Sequence, residues 1–170
     1  LAVGADDAIR IDTAPKDAFY VASQLAQVAK DYDVIMVGIE ASDYNGSAVG
    51  GMLAELLDFN SVSAVSGMNI ENGQLTLTRE IDGGQQKISV STPVVAIVQK
   101  GIAIDPRIPA MRGIMMARKK PLTVVPAIEA GEKTSYVDFE LPPPKAACKM
   151  VEEDNVKELV RLLQEEAKAL

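Results

Sequence analysis

The feature that most constrains this chain is a short apolar run, residues 33–38 (DVIMVG), followed by a small polar loop and a helical pattern. A continuous apolar run that ends in glycine is typical of a parallel strand buried on both faces. The loop (IEASDYNGS) leads into AVGGMLAELLDF, where Met52, Leu53, Leu56 and Leu57 recur at helical spacing. This unit predicts an open α/β sheet, in which ligands bind beyond the carboxyl ends of the strands.

The residues before this unit favour the same fold class. The opening LAVGADDAIRID predicts the end of a helix, a stop at Gly4 and a short strand at 8–12. Residues 17–30 then predict an amphipathic helix that covers the sheet. Its apolar stripe consists of Ala18, Val21, Ala22, Leu25, Val28 and Ala29.

From Val62 the hydrophobic period changes to two, which indicates strands. Two hairpin signals, Asn72-Gly73 and Asp82-Gly83-Gly84, supply residues that tolerate positive φ, so this region predicts an antiparallel meander. The apolar run VVAIV after Pro93 is interpreted as a strand that returns to the main sheet.

The last third of the chain is less regular. Residues 108–122 (IPAMRGIMMARKKPL) predict a helix-like piece that is both apolar and basic, which suits either a core stripe with a solvated edge or a docking surface. Residues 126–147 predict an extended arm, because three consecutive prolines at 142–144 exclude a helix there. A final amphipathic helix is predicted from Val156, Leu159, Val160, Leu163 and Ala167. We therefore expect an α/β domain over residues 1–127 and an arm with its helix over 128–170.

Composition excludes several classes of function. The formal net charge is −7, which argues against nucleic-acid binding, and no apolar run is long enough for membrane insertion. The chain has no histidine and one cysteine, Cys148, which predicts neither a metal site nor a disulfide and fits a reducing, cytoplasmic setting. Aromatic residues make up only 4%, so a large planar cofactor would need a partner to hold it.

Four segments, in order, resemble the β (small) subunit of the electron transfer flavoproteins. They are GADDAIRID, VGIEASDYNGSAVGGMLAELLDF, TREIDGGQQKISVSTPVVAIV and DPRIPAMRGIMMARKKPL, and the last two are the specific ones. The resemblance implies a Rossmann-like parallel sheet flanked by helices, with an antiparallel meander and a C-terminal arm plus helix. It also implies that the first third of the usual subunit precedes Leu1.

The resemblance further implies how the protein works. The β subunit pairs with an α subunit that holds most of the redox FAD, and itself binds AMP or a second FAD. The heterodimer is an electron carrier rather than an enzyme, and passes electrons from acyl-CoA or other dehydrogenases to a respiratory or ferredoxin-linked acceptor. The arm and final helix would pack on the α subunit. A stand-alone regulatory module that binds AMP or ATP is the alternative.

The resemblance assigns two sets of site residues. Its nucleotide loop corresponds to Gly38, Ile39, Glu40, Ala41, Ser42, Asp43, Tyr44, Asn45, Gly46, Ser47, Ala48 and Val49. Its partner-binding residues correspond to Met111, where the family usually has leucine, and to Ile114, Met115 and Glu80.

The residues themselves leave alternatives open. The loop is otherwise a solvated connection, and Glu80 is otherwise an exposed strand residue. Ser47 offers its hydroxyl either as a helix cap or as a phosphate ligand. The family's acidic and amide-rich string is replaced here by Tyr44 to Ser47, which keeps both AMP and a second FAD in view.

Overall fold

The strand that follows Pro93 returns to the main sheet, as the sequence predicts, and is its most buried strand. The computed structural model describes residues 1–145 and 147–169, which divide into the units Leu1–Ser135 and Tyr136–Leu170. The elements of the first unit are β1 (Ala8–Asp12), α1 (Ala18–Ala29), β2 (Val34–Gly38), α2 (Val49–Leu57), β3 (Asn60–Glu71), β4 (Gln74–Ile81), β5 (Gly84–Val90), β6 (Val94–Val98), α3 (Met111–Ala117) and β7 (Leu122–Pro126). The second unit contains α4 (Val156–Glu165).

The main sheet has the strand order β2-β6-β3-β4-β5. Strands β2, β6 and β3 are parallel, whereas β3, β4 and β5 form the predicted antiparallel meander. Val94, Val95 and Ala96 of β6 are fully buried. Val94 and Ala96 pack with apolar residues of β3 and β4, whereas Val95 on the other face packs with Ala54 of α2. The predicted α/β fold, with its parallel sheet, meander, arm and terminal helix, is therefore confirmed.

Both predicted hairpin turns are present. Asn72 and Gly73 have φ values of 51° and 79°, and Gly83 has a φ of 83°. Each of these residues lies in the left-handed region that such turns require. The turn chemistry therefore fixes the register of β4 against both neighbours.

Strand β2 differs from its prediction. It was expected to be buried on both faces, but it lies at one end of the main sheet, and Met36 is 51% exposed. Within the described residues, β2 pairs only with β6, and β1 pairs only with β7, which the sequence did not predict. A cavity of about 370 Å³ between the two free strand edges is lined by Ile9, Leu25, Val28, Ile35, Val37 and other apolar residues.

Helix α1 begins as predicted, since the Asp17 carboxylate accepts the Tyr20 N–H at 2.8 Å as an N-cap. Its buried residues are Tyr20, Ala22, Ser23 and Gln24, and of these Ala22 alone belongs to the predicted stripe. Leu25 and Val28 of that stripe are only partly buried because they face the cavity beside β1 and β2. The predicted helix end at residues 1–4 is instead a turn, in which Gly4 has a φ of 128°.

The second unit is an arm that leads to a helix. Its described residues before Asn155 form neither helix nor strand, and Val137 and Leu141 are almost fully exposed. Asn155 caps α4 by accepting the Glu158 N–H. On the polar face of α4, Arg161 donates hydrogen bonds to Glu158 and Glu165. Cys148, which lies in the arm, is exposed.

Candidate functional site

The candidate nucleotide loop begins at the rim formed by the carboxyl ends of the parallel strands, here called the carboxyl rim. Gly38 pairs with Val98, and Val98 pairs with Val65, so β2, β6 and β3 reach this level together. The Ile39 N–H donates to the Val98 carbonyl at 2.8 Å and anchors the loop. The chain thus leaves the sheet where ligands bind in folds of this class.

Helix α2 presents an open N-terminus to this loop. Its N-cap residue is Ala48, and within the described structure no side chain caps the helix. Ser47 therefore does not use its hydroxyl as a cap, which resolves one of the two readings of this residue. The first amides of α2 remain available to an anion, and the helix dipole favours negative charge there.

The backbone before α2 is shaped for the same purpose. Asn45 and Ser47 have φ values of 49° and 48°, and Ala48 returns to the right-handed region. A change of hand between successive residues is the geometry of backbone nests, whose N–H groups bind anions. Side chains add no positive charge, because the segment 38–49 contains Glu40 and Asp43 but neither lysine nor arginine. Any phosphate held here would therefore be held by backbone amides, and the two carboxylates suit ribose hydroxyls.

Gly50 explains why α2 lies so close to the sheet. A Cβ atom at this position would lie 2.7 Å from Ile97 Cγ1 and 2.7 Å from Val37 Cγ2. The absence of a side chain lets the first turn of α2 rest directly on β2 and β6. The predicted loop residues end at Val49 and this contact was not predicted, although a glycine in the first turn of a helix after a ligand loop is a recognisable signal.

Glu80 lies on β4 at the level of the loop. Val65 pairs with both Val98 and Arg79, so Gly38, Val98, Val65 and Arg79 form a row across the sheet. Three strand spacings separate β2 from β4, which is roughly 14 Å. Glu80 Oε1 accepts the hydroxyl of Ser66 at 2.6 Å and the side-chain amide of Gln85 at 2.7 Å.

The predicted docking residues lie on a short helix at another part of the unit. Met111 is 74% exposed, Met115 is 62% exposed, and Ile114 is 40% exposed. Helix α3 is held from its other side, because a Cβ at Gly113 would lie 2.5 Å from the Ala2 carbonyl oxygen.

Two basic residues complete this attachment. The Arg107 guanidinium donates to the Val3 carbonyl at 3.1 Å, and the Lys120 ammonium donates to the Leu1 carbonyl at 3.2 Å and to Ala5. Residues 1–5 thus support α3 from behind. The side chains of Met111, Ile114 and Met115 remain exposed to solvent, so these residues do not form a core-facing stripe.

Residues 1–145 and 147–169 contain no cluster of acidic, cysteine or histidine side chains that would hold a metal ion. None of the helices in this part of the chain is long and apolar enough to cross a membrane.

Comparison with known proteins identifies the class to which this fold and rim belong. The family model of the electron transfer flavoprotein domain matches residues 1–130, and the chain belongs to the electron transfer flavoprotein family. Three relatives from that family are named as β subunits, as the sequence resemblance predicted.

The electron transfer flavoprotein subunit beta of Syntrophomonas wolfei is 39% identical over 158 residues, which cover 91% of this chain and 62% of that protein. The Bacillus subtilis subunit beta is 32% identical over 186 residues, covering 100% of this chain and 72% of that protein. The human subunit beta is 31% identical, covering 97% and 68% respectively. The chain therefore spans about two thirds of the length of these relatives.

Proposed function

We propose that this chain is the larger part of the β subunit of a heterodimeric electron transfer flavoprotein. The observation that carries the proposal is the family match over residues 1–130, which includes the loop at the carboxyl rim. In this role the chain catalyses no reaction of its own. It binds and orients cofactors while electrons pass from dehydrogenases to an acceptor.

The loop from Gly38 to Val49 is the proposed site for AMP or for the adenylate half of a second FAD. Three features support this assignment: the uncapped α2, the left-handed residues Asn45 and Ser47, and the position at the carboxyl rim. These residues fit a phosphate through backbone amides, while Glu40 and Asp43 would accept ribose hydroxyls.

The redox FAD is proposed to be held mainly by an α subunit. The chain has few aromatic residues, and the candidate loop contributes Tyr44 alone. When bound, the flavin would supply the electron-carrying chemistry. The contribution of this chain would be to support it from the carboxyl rim, with Glu80 directed to the α subunit.

A dehydrogenase is the proposed partner of α3. The exposed side chains of Met111, Ile114 and Met115 form a small apolar surface, and Arg112, Arg118 and Lys119 make its surroundings basic. Methionine is unbranched and polarisable, so it adapts to different pockets. This combination suits a transient partner with an apolar pocket and an acidic rim.

The arm and α4 are proposed to pack on the α subunit. Val137, Leu141 and Met150 are more than 85% exposed, and Val156, Leu159 and Val160 are exposed on one side of α4. Exposed apolar surface of this extent is typical of an interaction site. The proposed limit between domain and arm stays at residues 127 and 128, and the bonds of Ile128, Lys133 and Thr134 to α1 attach the first part of the arm to the α/β domain.

The first unit is proposed to gain a further parallel strand in the full protein. Strands β1 and β2 each have an edge without a hydrogen-bonded neighbour in the described structure, and an apolar cavity of about 370 Å³ lies between them. A strand inserted there would join both sheets and cover Ile9 and Met36.

Coexpression of the full-length protein with its candidate α subunit, followed by acid release of the ligands, tests the proposal. One FAD and one AMP per heterodimer would support the AMP-binding carrier. Two FAD and no AMP would support a member with a flavin in the loop. A colourless protein that forms no complex would overturn the proposal and favour a regulatory module that binds AMP or ATP.

A further inference from the structure

We propose that Ser66 and Gln85 are positioning residues, which hold one carboxylate oxygen of Glu80 and leave the other oxygen to the α subunit. The inference rests on the proposed function, because it takes Glu80 to face that subunit. It adds two residues that neither the family match nor the sequence resemblance assigns.

Two side chains in the described residues donate to the Glu80 carboxylate, and both donate to the same oxygen. Ser66 Oγ donates to Glu80 Oε1 at 2.6 Å, and Gln85 Nε2 donates to the same oxygen at 2.7 Å. Gln85 is also the cross-strand partner of Glu80 in the β4–β5 hairpin. In the described part of the chain, Oε2 accepts no hydrogen bond. Donors to a carboxylate make short, strong bonds, so the held oxygen fixes the direction of the free one.

Ser66 reaches Glu80 because β3 is irregular at this point. Val65 pairs with Arg79, but Gly67 rather than Ser66 pairs with the next residue, Thr78, so Ser66 is the extra residue of a bulge. Bulges re-aim side chains and are common beside functional sites. The bulge places the hydroxyl beside Glu80.

The backbone before this bulge is also unusual. Ala64 has a φ of 57°, in the left-handed region that a residue with a Cβ seldom adopts. The pairing of β3 with β6 shifts between Val62 and Val65, so a second irregularity lies in the same short segment. Strain of this kind persists where the surrounding structure holds it in place, and it concentrates at functional sites.

The same segment supplies a second serine that serves as an internal comparison. Ser63 Oγ accepts from Arg79 Nη2 at 3.2 Å, and Arg79 lies on the opposite face of β4 from Glu80. Ser63 and Ser66 therefore occupy one irregular segment but contact different charged residues. Removal of the Ser63 hydroxyl takes away the bond to Arg79 and leaves both bonds to Glu80 in place.

Preorganisation is the expected benefit of these contacts. A half-buried glutamate still has three rotatable side-chain bonds, and binding would have to immobilise them. The two donors fix the side chain before the α subunit arrives. Loss of either donor keeps the charge but releases the side chain, so association with the α subunit should weaken without being abolished.

The test measures dissociation constants of the full-length protein with its α subunit at two ionic strengths. The variants are Ser66→Ala, Ser66→Thr, Gln85→Met, Glu80→Gln, Ser63→Ala and the Ser66→Ala/Glu80→Gln double variant. We expect Ser66→Ala and Gln85→Met each to weaken association about threefold to tenfold. Ser66→Thr should keep the wild-type dissociation constant because threonine retains the hydroxyl. Ser63→Ala should also keep the wild-type value.

The double variant decides between positioning and general structural damage. If Ser66 acts through Glu80, then adding Ser66→Ala to Glu80→Gln weakens association no further. Additive losses, or equal losses in Ser63→Ala and Ser66→Ala, would overturn the inference while the proposed function stands. A wild-type protein that forms no flavin-containing heterodimer would overturn the proposed function and the inference together.

Discussion

The side chain of Gln24 and the backbone of Ile128 form a closed pair of hydrogen bonds. Gln24 Nε2 donates to the Ile128 carbonyl at 2.9 Å, and the Ile128 N–H donates to Gln24 Oε1 at 2.9 Å. Gln24 is 3% exposed. The side chain thus acts as a peptide group that pairs α1 with the chain leaving β7.

Replacing Gln24 with methionine should lower the free energy of unfolding of the full-length protein by about 1–3 kcal/mol. The change keeps the side-chain size but leaves a backbone donor and acceptor of Ile128 without partners. Urea unfolding of the assembled protein measures the effect. Gln86→Met, at an exposed glutamine of β5, is the control and should change stability by less than about 0.5 kcal/mol. Equal stability of the two variants would contradict the prediction.

Asp17 should make part of the stability depend on acid pH. The pKa of its carboxyl is lowered from 3.8 mainly by the Tyr20 N–H, against partial desolvation, with further bonds from Lys133 and Thr134. A pKa lower in the folded than in the unfolded protein gives stability above the unfolded value. That stability is lost as pH falls through the folded value.

The variant Asp17→Asn retains a good N-cap but has no charge to titrate. The thermal midpoints of both proteins, measured from about pH 7 down to about pH 2, should therefore converge. The midpoint of the wild type should fall further than that of the variant. Parallel curves throughout this range would show that Asp17 makes no such contribution.

The sequence predicted the elements that local chemistry decides. The Asn72-Gly73 and Asp82-Gly83 turns depend on neighbouring residues, so their signals are complete within a few positions. Strand β7 was missed because its partner β1 lies more than 100 residues away. The exposure of β2 was missed for a related reason. Its apolar run predicts burial on both faces, but it does not show whether a second strand lies beside β2.

The candidate site divides in the same way. The loop after β2 was predicted from its place between a strand and a helix, and its location at the carboxyl rim agrees with that pattern. Ser66 was not predicted, because a bulge brings it beside Glu80 and nothing in the local sequence marks that bulge. Gly50 was visible as a glycine, but its contacts with Ile97 and Val37 required the packed structure.

Gly50 and Gly51 should respond in opposite ways to alanine. A Cβ at Gly50 would overlap Ile97 and Val37, so α2 must move from the sheet at a cost of about 1–3 kcal/mol, against a helix-propensity gain of about 1 kcal/mol. Gly51 faces open space, and alanine there should stabilise the protein by about 0.5–1 kcal/mol.

Nucleotide occupancy should fall in Gly50→Ala only, because only this variant moves α2 away from the sheet. Stability and released nucleotide, measured on both variants, check this, and full occupancy in Gly50→Ala would show that helix position does not control the loop.

Met111→Ala should slow electron transfer from a dehydrogenase about tenfold while flavin content stays unchanged. The side chain is 74% exposed, so its removal takes contact from the partner rather than from the core. Met111→Leu keeps an apolar side chain of similar size and should retain most of the rate. Stopped-flow reduction of the heterodimer by the dehydrogenase gives both values. Unchanged transfer in Met111→Ala would remove this residue from the docking surface.

Hydrogen exchange should reveal whether β2 is an interior strand of the full-length protein. In the described structure β2 pairs only with β6, so only part of its amides would be protected, as in any edge strand. A further strand beside β2 would protect the remaining amides as well, and the same holds for β1. Strand β5 is the internal control, because it ends the main sheet and pairs only with β4. We expect every amide of β2 to exchange slowly, whereas slow and fast amides should alternate along β5.

Alternating exchange in both strands would mean that no strand enters the cavity between β1 and β2. Another part of the protein or a partner would then have to cover the apolar side chains of Met36 and Ile9.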